Sequence, residues 1–251
     1  MLLNKVDAGI IDMELTIYLG WDSREVEAYE VCVHSILQRC TNDNVELKIV
    51  PLIQPHLRSS GHYYRPIDKK AATEFSLTRF LVPALNEFRG TAIFADCDFL
   101  FLSDISAVLN EVTPDAAVSV VQHDYRPSET MKMDGAQQFN YPRKNWSSFI
   151  VFNCAHPSNR ALTLETVNEA TPQFLHRFSW LQDSEIGNLP ETWNYLEGWY
   201  DGTRSVDELK AIHFTRGGPW FSNMQDVDFA DLWIKERDSF KAANSLRLKT
   251  A

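Results

Sequence analysis

No apolar stretch in this chain approaches the ~20 residues of a membrane-spanning helix, so no membrane span is expected. The opening residues, Met1-Leu2-Leu3-Asn4-Lys5-Val6-Asp7, are too polar for a signal peptide. Cysteine is sparse: Cys32, Cys40, Cys97 and Cys154 lack paired metal-ligand spacing and mostly sit in apolar surroundings. They read as reduced thiols of a cytoplasmic protein. Positive charge is also short. The 24 Lys and Arg face 34 Asp and Glu, leaving a formal net charge of −10 with no basic stripe, so nucleic acid is not an expected partner. Only 10 glycines occur, and no glycine-rich phosphate loop with a lysine follows the first apolar strand. That absence counts against a nucleotidyltransferase. Internal repeats, low-complexity tracts and linkers are missing too. The 251 residues, 44% hydrophobic and 12% aromatic, therefore read as one domain, 1–251, with a large α/β core.

The periodicity predicts strand, helix, strand at the start. Residues 14–19 form an apolar strand ending at Gly20-Trp21-Asp22. Ser23 is placed to cap a helix over 24–39, with a stripe of Val26, Tyr29, Val33, Ile36 and Leu37. A second strand covers 47–52 and includes Pro51. Such an opening belongs to a mostly parallel sheet with flanking helices, whose ligands gather beyond the carboxyl ends of the strands. Residues 54–70 read as an irregular surface loop. A helix is predicted over 73–86, kinked at Pro83, with Arg79 near its middle. Further on, 104–111 reads as a short helix, 116–121 and 148–153 as strands, and 158–170 and 173–181 as helices. The segment 132–146 is polar, aromatic and locally basic, as a lid or an acceptor-facing wall would be. Residues 229–248 form an amphipathic helix or pair.

The chemistry concentrates in Gly90-Thr91-Ala92-Ile93-Phe94-Ala95-Asp96-Cys97-Asp98, a buried apolar strand running into two carboxylates one residue apart. Two carboxylates at the end of a buried strand are costly unless a cation neutralises them. Hard divalent ions such as Mg²⁺ and Mn²⁺ suit carboxylate oxygens. Asp226-Val227-Asp228 has the same spacing but lies in a polar segment, where capping or a solvated loop explains it. Ala211-Ile212-His213-Phe214 reads as a short strand leading to Gly217-Gly218-Pro219. A histidine followed by such a turn is placed to add a third ligand and backbone N–H donors.

Taken in order, Gly20-Trp21-Asp22, Arg79, Phe94-Ala95-Asp96-Cys97-Asp98, Gln182-Asp183, Leu189-Pro190, Trp193-Asn194 and His213-Phe214-Thr215-Arg216-Gly217-Gly218-Pro219-Trp220 resemble the GT-A nucleotide-diphosphosugar glycosyltransferases. The resemblance is greatest to glycosyltransferase family 8 and its bacterial and viral relatives. It implies an α/β, Rossmann-like GT-A fold and a metal-dependent hexosyltransferase that moves a sugar from a nucleotide-sugar donor, UDP-linked first, with retention. It further implies that Asp96, Asp98 and His213 bind Mn²⁺ (or Mg²⁺), and that Gly20, Trp21 and Asp22 hold the nucleoside. Arg79 would contact the donor, with Gln182 and Asp183 near the donor sugar and the reaction centre. The acceptor, whether glycan, lipid or protein, is unspecified.

Two departures stand out. The family's late histidine, glycine and Lys-Pro-Trp becomes His213 with Gly218 before Pro219 and no lysine. Arg216, beside Gly217 and Gly218, is the candidate to supply the missing charge. Where many members carry an asparagine facing the sugar, Ser147 stands here. Two other readings use the same residues: a metal-dependent hydrolase or nucleotidyltransferase, and a sugar-nucleotide binding protein without turnover.

Overall fold

The computed structural model describes residues 13–68, 71–124, 143–200 and 204–250, with side chains to 245. The amino-terminal residues and most of the 132–146 segment lie outside the described residues. The chain begins with β1 (Met13–Gly20), α1 (Val26–Arg39), β2 (Val45–Leu52), α2 (Gln54–Ser59) and α3 (Val82–Leu85). Next come β3 (Thr91–Ala95), β4 (Phe99–Phe101), β5 (Val118–Val120) and β6 (Phe149–Asn153). Then follow α4 (Leu164–Glu169), α5 (Pro172–His176), β7 (Ile186–Asn188), β8 (Tyr195–Leu196), β9 (Ala211–His213) and α6 (Ala230–Thr250).

Six strands form the central sheet in the order β2-β1-β3-β6-β5-β7. Only β6 runs against its neighbours, β3 and β5; the other pairings are parallel. Apolar side chains alternate between the two faces. Leu15, Ile17 and Leu19 of β1 and Ile93 and Ala95 of β3 pack on one side, with Cys32 and Ile36 of α1. Tyr18, Ala92 and Phe94 pack on the other, with Phe75, Phe80 and Leu81. Both faces are covered, which is why these strands read as near-continuous apolar runs. A smaller sheet, β4-β9-β8, follows the Asp96-Cys97-Asp98 turn.

Several local expectations change. Ser23 caps nothing: α1 starts at Val26 after Glu25, and the Ser23 hydroxyl instead donates to Glu74 at 2.5 Å. The expected loop after β2 contains α2, started by Pro55 in its first turn, where a missing N–H costs little. The helix expected over 73–86 is reduced to a 3₁₀ turn, Thr78–Leu81, followed by α3. Pro83 lies in the first turn of α3 and begins a helix where a kink was expected. Residues 158–170 split into a 3₁₀ segment, Pro157–Ala161, and α4, which starts afresh because the Thr163 side chain accepts from Thr166 N. Thr171 does the same for α5, which ends at His176, short of the expected 181. Pro51 sits inside β2 without harm because β2 is an edge strand.

Candidate metal and donor site

Strand pairing builds the site. β3 ends at Ala95, and the turn that follows is tied on both sides. Asp96 N donates to Ser148 O at 2.9 Å, and Phe214 N donates to Asp98 O at 3.0 Å. β4 then pairs with β9 so that Phe99 faces His213 directly, their rings stacked 4.3 Å apart. A residue more than 110 positions along the chain is thereby fixed beside the aspartates. One ligand atom each from Asp96, Asp98 and His213 lies within 4.8 Å of the others.

The hydrogen bonds of His213 settle its proton. Ser148 Oγ donates to Asn145 O at 2.7 Å, so it accepts from Asn194 Nδ2 at 2.9 Å. Asn194 Oδ1 then faces His213 Nδ1 at 2.9 Å and takes its N–H. Nε2 is left facing Asp98 Oδ1, 3.3 Å away. Both atoms are buried, and neither makes a hydrogen bond. With Nε2 unprotonated, these are two acceptors facing each other in a buried site, and a cation would satisfy both. Adjacent ligands of an octahedral ion with bonds near 2.1 Å lie about 3 Å apart, which this pair approaches. Two carboxylates and one imidazole suit Mn²⁺ or Mg²⁺. The second Asp-x-Asp, at Asp226 and Asp228, takes no part; Asp228 N donates to Glu197.

Arg79 is buried, and its charge is turned inward. Its Nη1 sits 2.9 Å from Asp96 Oδ1 and donates to Ser147 O at 2.7 Å, with the guanidinium over the Phe94 ring. Ser147 Oγ in turn meets His176 Nδ1 at 3.0 Å. Arg79 and Ser147 thus brace Asp96 from behind.

On the open side, Asp98, Arg24, Thr73, Arg216 and Gly217 line a pocket of about 200 Å³. Arg216 donates to both oxygens of buried Glu197 at 3.2 Å and lies over the Trp199 ring. Burial pushes the Glu197 carboxyl upward against the pull of Arg216. Gly198 makes room for this arginine: a Cβ there would come within 1.7 Å of it. The expected N–H donors of the glycine turn are reduced, because Gly217 N is spent on Phe214 O at 2.8 Å. Gly218 is covered by the Trp220 ring, 2.3 Å from where its Cβ would lie, and Trp220 packs on Phe214 and Trp233.

The first loop also differs from expectation. The Cβ position of Gly20 is filled by the Phe75 ring at 2.7 Å. Trp21 is half-buried, and Asp22 is fully buried. Both Asp22 oxygens are taken by protein donors: Arg24 N, Nε and Nη2 and Glu74 N, at 2.7–3.0 Å. Those hydrogen bonds hold its carboxyl below the usual range despite burial. Arg24 and Glu25 are the residues that follow this loop into the pocket lining. Gln182 and Asp183 stand elsewhere. They enter β7 at its amino end, and Glu185 O, bonded to Ala117 N, is level with the beginning of β3. The Asp183 carboxylate is exposed and takes Arg143. Arg143 lies two residues before Asn145, in the segment that backs the metal-ligand cluster.

No protein-family model matches the chain. It is 48% identical over 233 residues to Protein CDI of Arabidopsis thaliana, covering 91% of this chain and 88% of that protein. The chain belongs to the Protein CDI family. Among solved structures it superposes on the bifunctional glycosyltransferase WbbM with a TM-score of 0.63 at 17% identity, over 94% of this chain and 50% of that one. It thus spans about half the length of WbbM. It also matches glycosyltransferase GlyE of Streptococcus pneumoniae TIGR4 (TM-score 0.56, 12% identity, 90% and 60% of the two chains). A third match is galactosyltransferase LgtC, solved with donor and acceptor sugar analogs (TM-score 0.55, 10% identity, 89% and 95%). The fold of this family member is that of the GT-A glycosyltransferases. No described helix is long and apolar enough to cross a membrane.

Arg24, Asn194 and Glu197 carry parts of this site that the sequence reading gave no role. Asn194 appeared only as the end of Trp193-Asn194. Its function depends on the β4–β9 pairing, which no local pattern announces.

Proposed function

We propose that this chain is a metal-dependent glycosyltransferase that moves a sugar from a nucleotide-diphosphosugar, a UDP-sugar first among them, to a glycan, lipid or protein acceptor. The observation that carries the reading is the buried pair Asp98 Oδ1 and His213 Nε2, 3.3 Å apart and without hydrogen bonds, beside a pocket that Asp98 lines together with Arg216 and Arg24. A divalent ion held there would neutralise the charge that a departing nucleoside diphosphate acquires. Asp98 and His213 would bind that ion directly, with Asp96 held to its place by Arg79. Asn194 keeps the His213 lone pair free for coordination. Arg216 and Arg24 line the pocket where a diphosphate would lie, and they replace the absent lysine by position. Each is half-neutralised by its carboxylate, Glu197 or Asp22, so their role is to orient an anion more than to attract it from afar. The motif order supports the family 8 group and, through it, a retained anomeric configuration and a hexosyl donor.

The test is release of nucleoside diphosphate from a panel of sugar nucleotides with Mn²⁺ and candidate acceptors. Release should need the metal, rise with an acceptor, and fall roughly 100-fold in Asp98→Asn. Release into water that no acceptor increases would instead indicate a hydrolase. Donor binding without any release would indicate a binding protein.

A further inference from the structure

Arg24 and Thr73 form a partition. On one side is the pocket beside Asp98, and on the other a separate cavity of about 300 Å³, which Arg58, Tyr63, Arg65 and Ile67 also line. Arg58 donates to Gln54 Oε1 through Nε and Nη2, and to Arg65 O through Nη1 at 2.7 Å; it lies over the Tyr63 ring. Arg65 donates through Nη1 to Val167 O and Ala170 O at the end of α4, both at 2.8 Å. All these partners are neutral carbonyl oxygens. They satisfy some N–H groups but leave the charge in place. Among the described residues no ion pair involves Arg58 or Arg65. Two carboxylates, Asp68 and Glu74, also line the cavity, and Glu74 is turned to Ser23. Neither guanidinium is paired directly with a carboxylate, and two half-buried guanidiniums in one cavity repel each other.

We propose that this cavity binds the oxyanion, phosphate or carboxylate, of a ligand of monosaccharide size. The planar forks of Arg58 and Arg65 match either group, and their unspent N–H donors supply the hydrogen bonds. Tyr63 and Ile67 offer an apolar wall to the rest of the ligand. The proposal needs no metal and does not depend on the transfer reading.

The experiment is calorimetric titration in EDTA, which silences the metal site, with inorganic phosphate, glucose 6-phosphate, glucuronate and glucose. The anions should bind, and glucose should not. Ile67 is 74% exposed at the rim, so Ile67→Glu leaves packing intact. It should weaken anion binding about tenfold or more by repulsion while the melting temperature holds. Arg65→Gln should weaken it too. Equal affinity for phosphate and glucose 6-phosphate would assign the site to a free anion. Tighter binding of glucose 6-phosphate would assign it to an anionic sugar. No binding by any anion, or binding unchanged in both variants, overturns the proposal.

Discussion

The metal-ligand role proposed for His213 rests on Asn194, a side chain outside the ligand set. The Asn145–Ser148–Asn194 relay keeps the proton on Nδ1 and the lone pair of Nε2 toward Asp98. Partners of this kind typically govern metal affinity by 10–100-fold. Asn194→Leu should therefore lower Mn²⁺ affinity by about that factor, measured by titration, with the fold retained. Asn194→Asp keeps an acceptor for Nδ1–H and should lose much less. At this scale the sequence was legible where chemistry is local: two aspartates after an apolar run, and a histidine before a glycine turn. Asp22 and Arg79 were less so. Both are charged groups near the expected ligand, yet one is saturated by Arg24 and Glu74 N and the other is paired with Asp96. Residue type announces a charge but not the partner that consumes it.

Five of the six central strands were readable from their apolar runs, because the sheet is buried on both faces; β7, three residues with Gly187 at its middle, was not. Between residues 54 and 86 the pattern misled in both directions: the expected loop holds α2, and the apolar stripe expected of one helix over 73–86 belongs to a 3₁₀ turn and α3, short turns set by prolines and tertiary contacts. Close packing replaces helix length there. Phe75 lies against the backbone of Gly20, so Gly20→Ala should destabilise the protein by about 1–3 kcal/mol in urea unfolding, through overpacking at the end of β1. An unchanged midpoint would show that Phe75 is free to move. The final helix is fastened to α1. Trp233 packs in a cluster with Val31, while Arg39 meets Glu236 at 2.7 Å and Lys241 meets Glu27 at 2.8 Å. Surface pairs contribute little, so most of the anchoring is apolar. Trp233→Ala should cost about 3–5 kcal/mol, and Lys241→Ala less than about 1 kcal/mol.

For the whole molecule, acid should be destabilising well above the carboxylate range. His123, after β5, is buried with its Nδ1 against Tyr200 at 2.7 Å. Burial, with the His213 imidazole adding to it, lowers its pKa to about 3. Below pH 6.5 the unfolded chain takes up a proton that the folded chain refuses, so stability falls as the pH drops. Between pH 7 and 5 this one group should remove about 2 kcal/mol from the unfolding free energy of the wild type. His123→Gln should lack that part of the slope, and identical slopes would contradict the buried, neutral imidazole. Fold class followed from the alternating strand and helix pattern. The strand β7, which Gln182 and Asp183 precede, did not, because its three residues include Gly187 and make no apolar run.

The most direct test is calorimetric binding of UDP with Mn²⁺ or with EDTA, in wild type, Asp98→Asn and His213→Ala. A metal site at these residues gives binding that requires Mn²⁺ and weakens about 100-fold or more in both variants. UDP binding of equal strength in EDTA, or variants that bind as the wild type does, would contradict it.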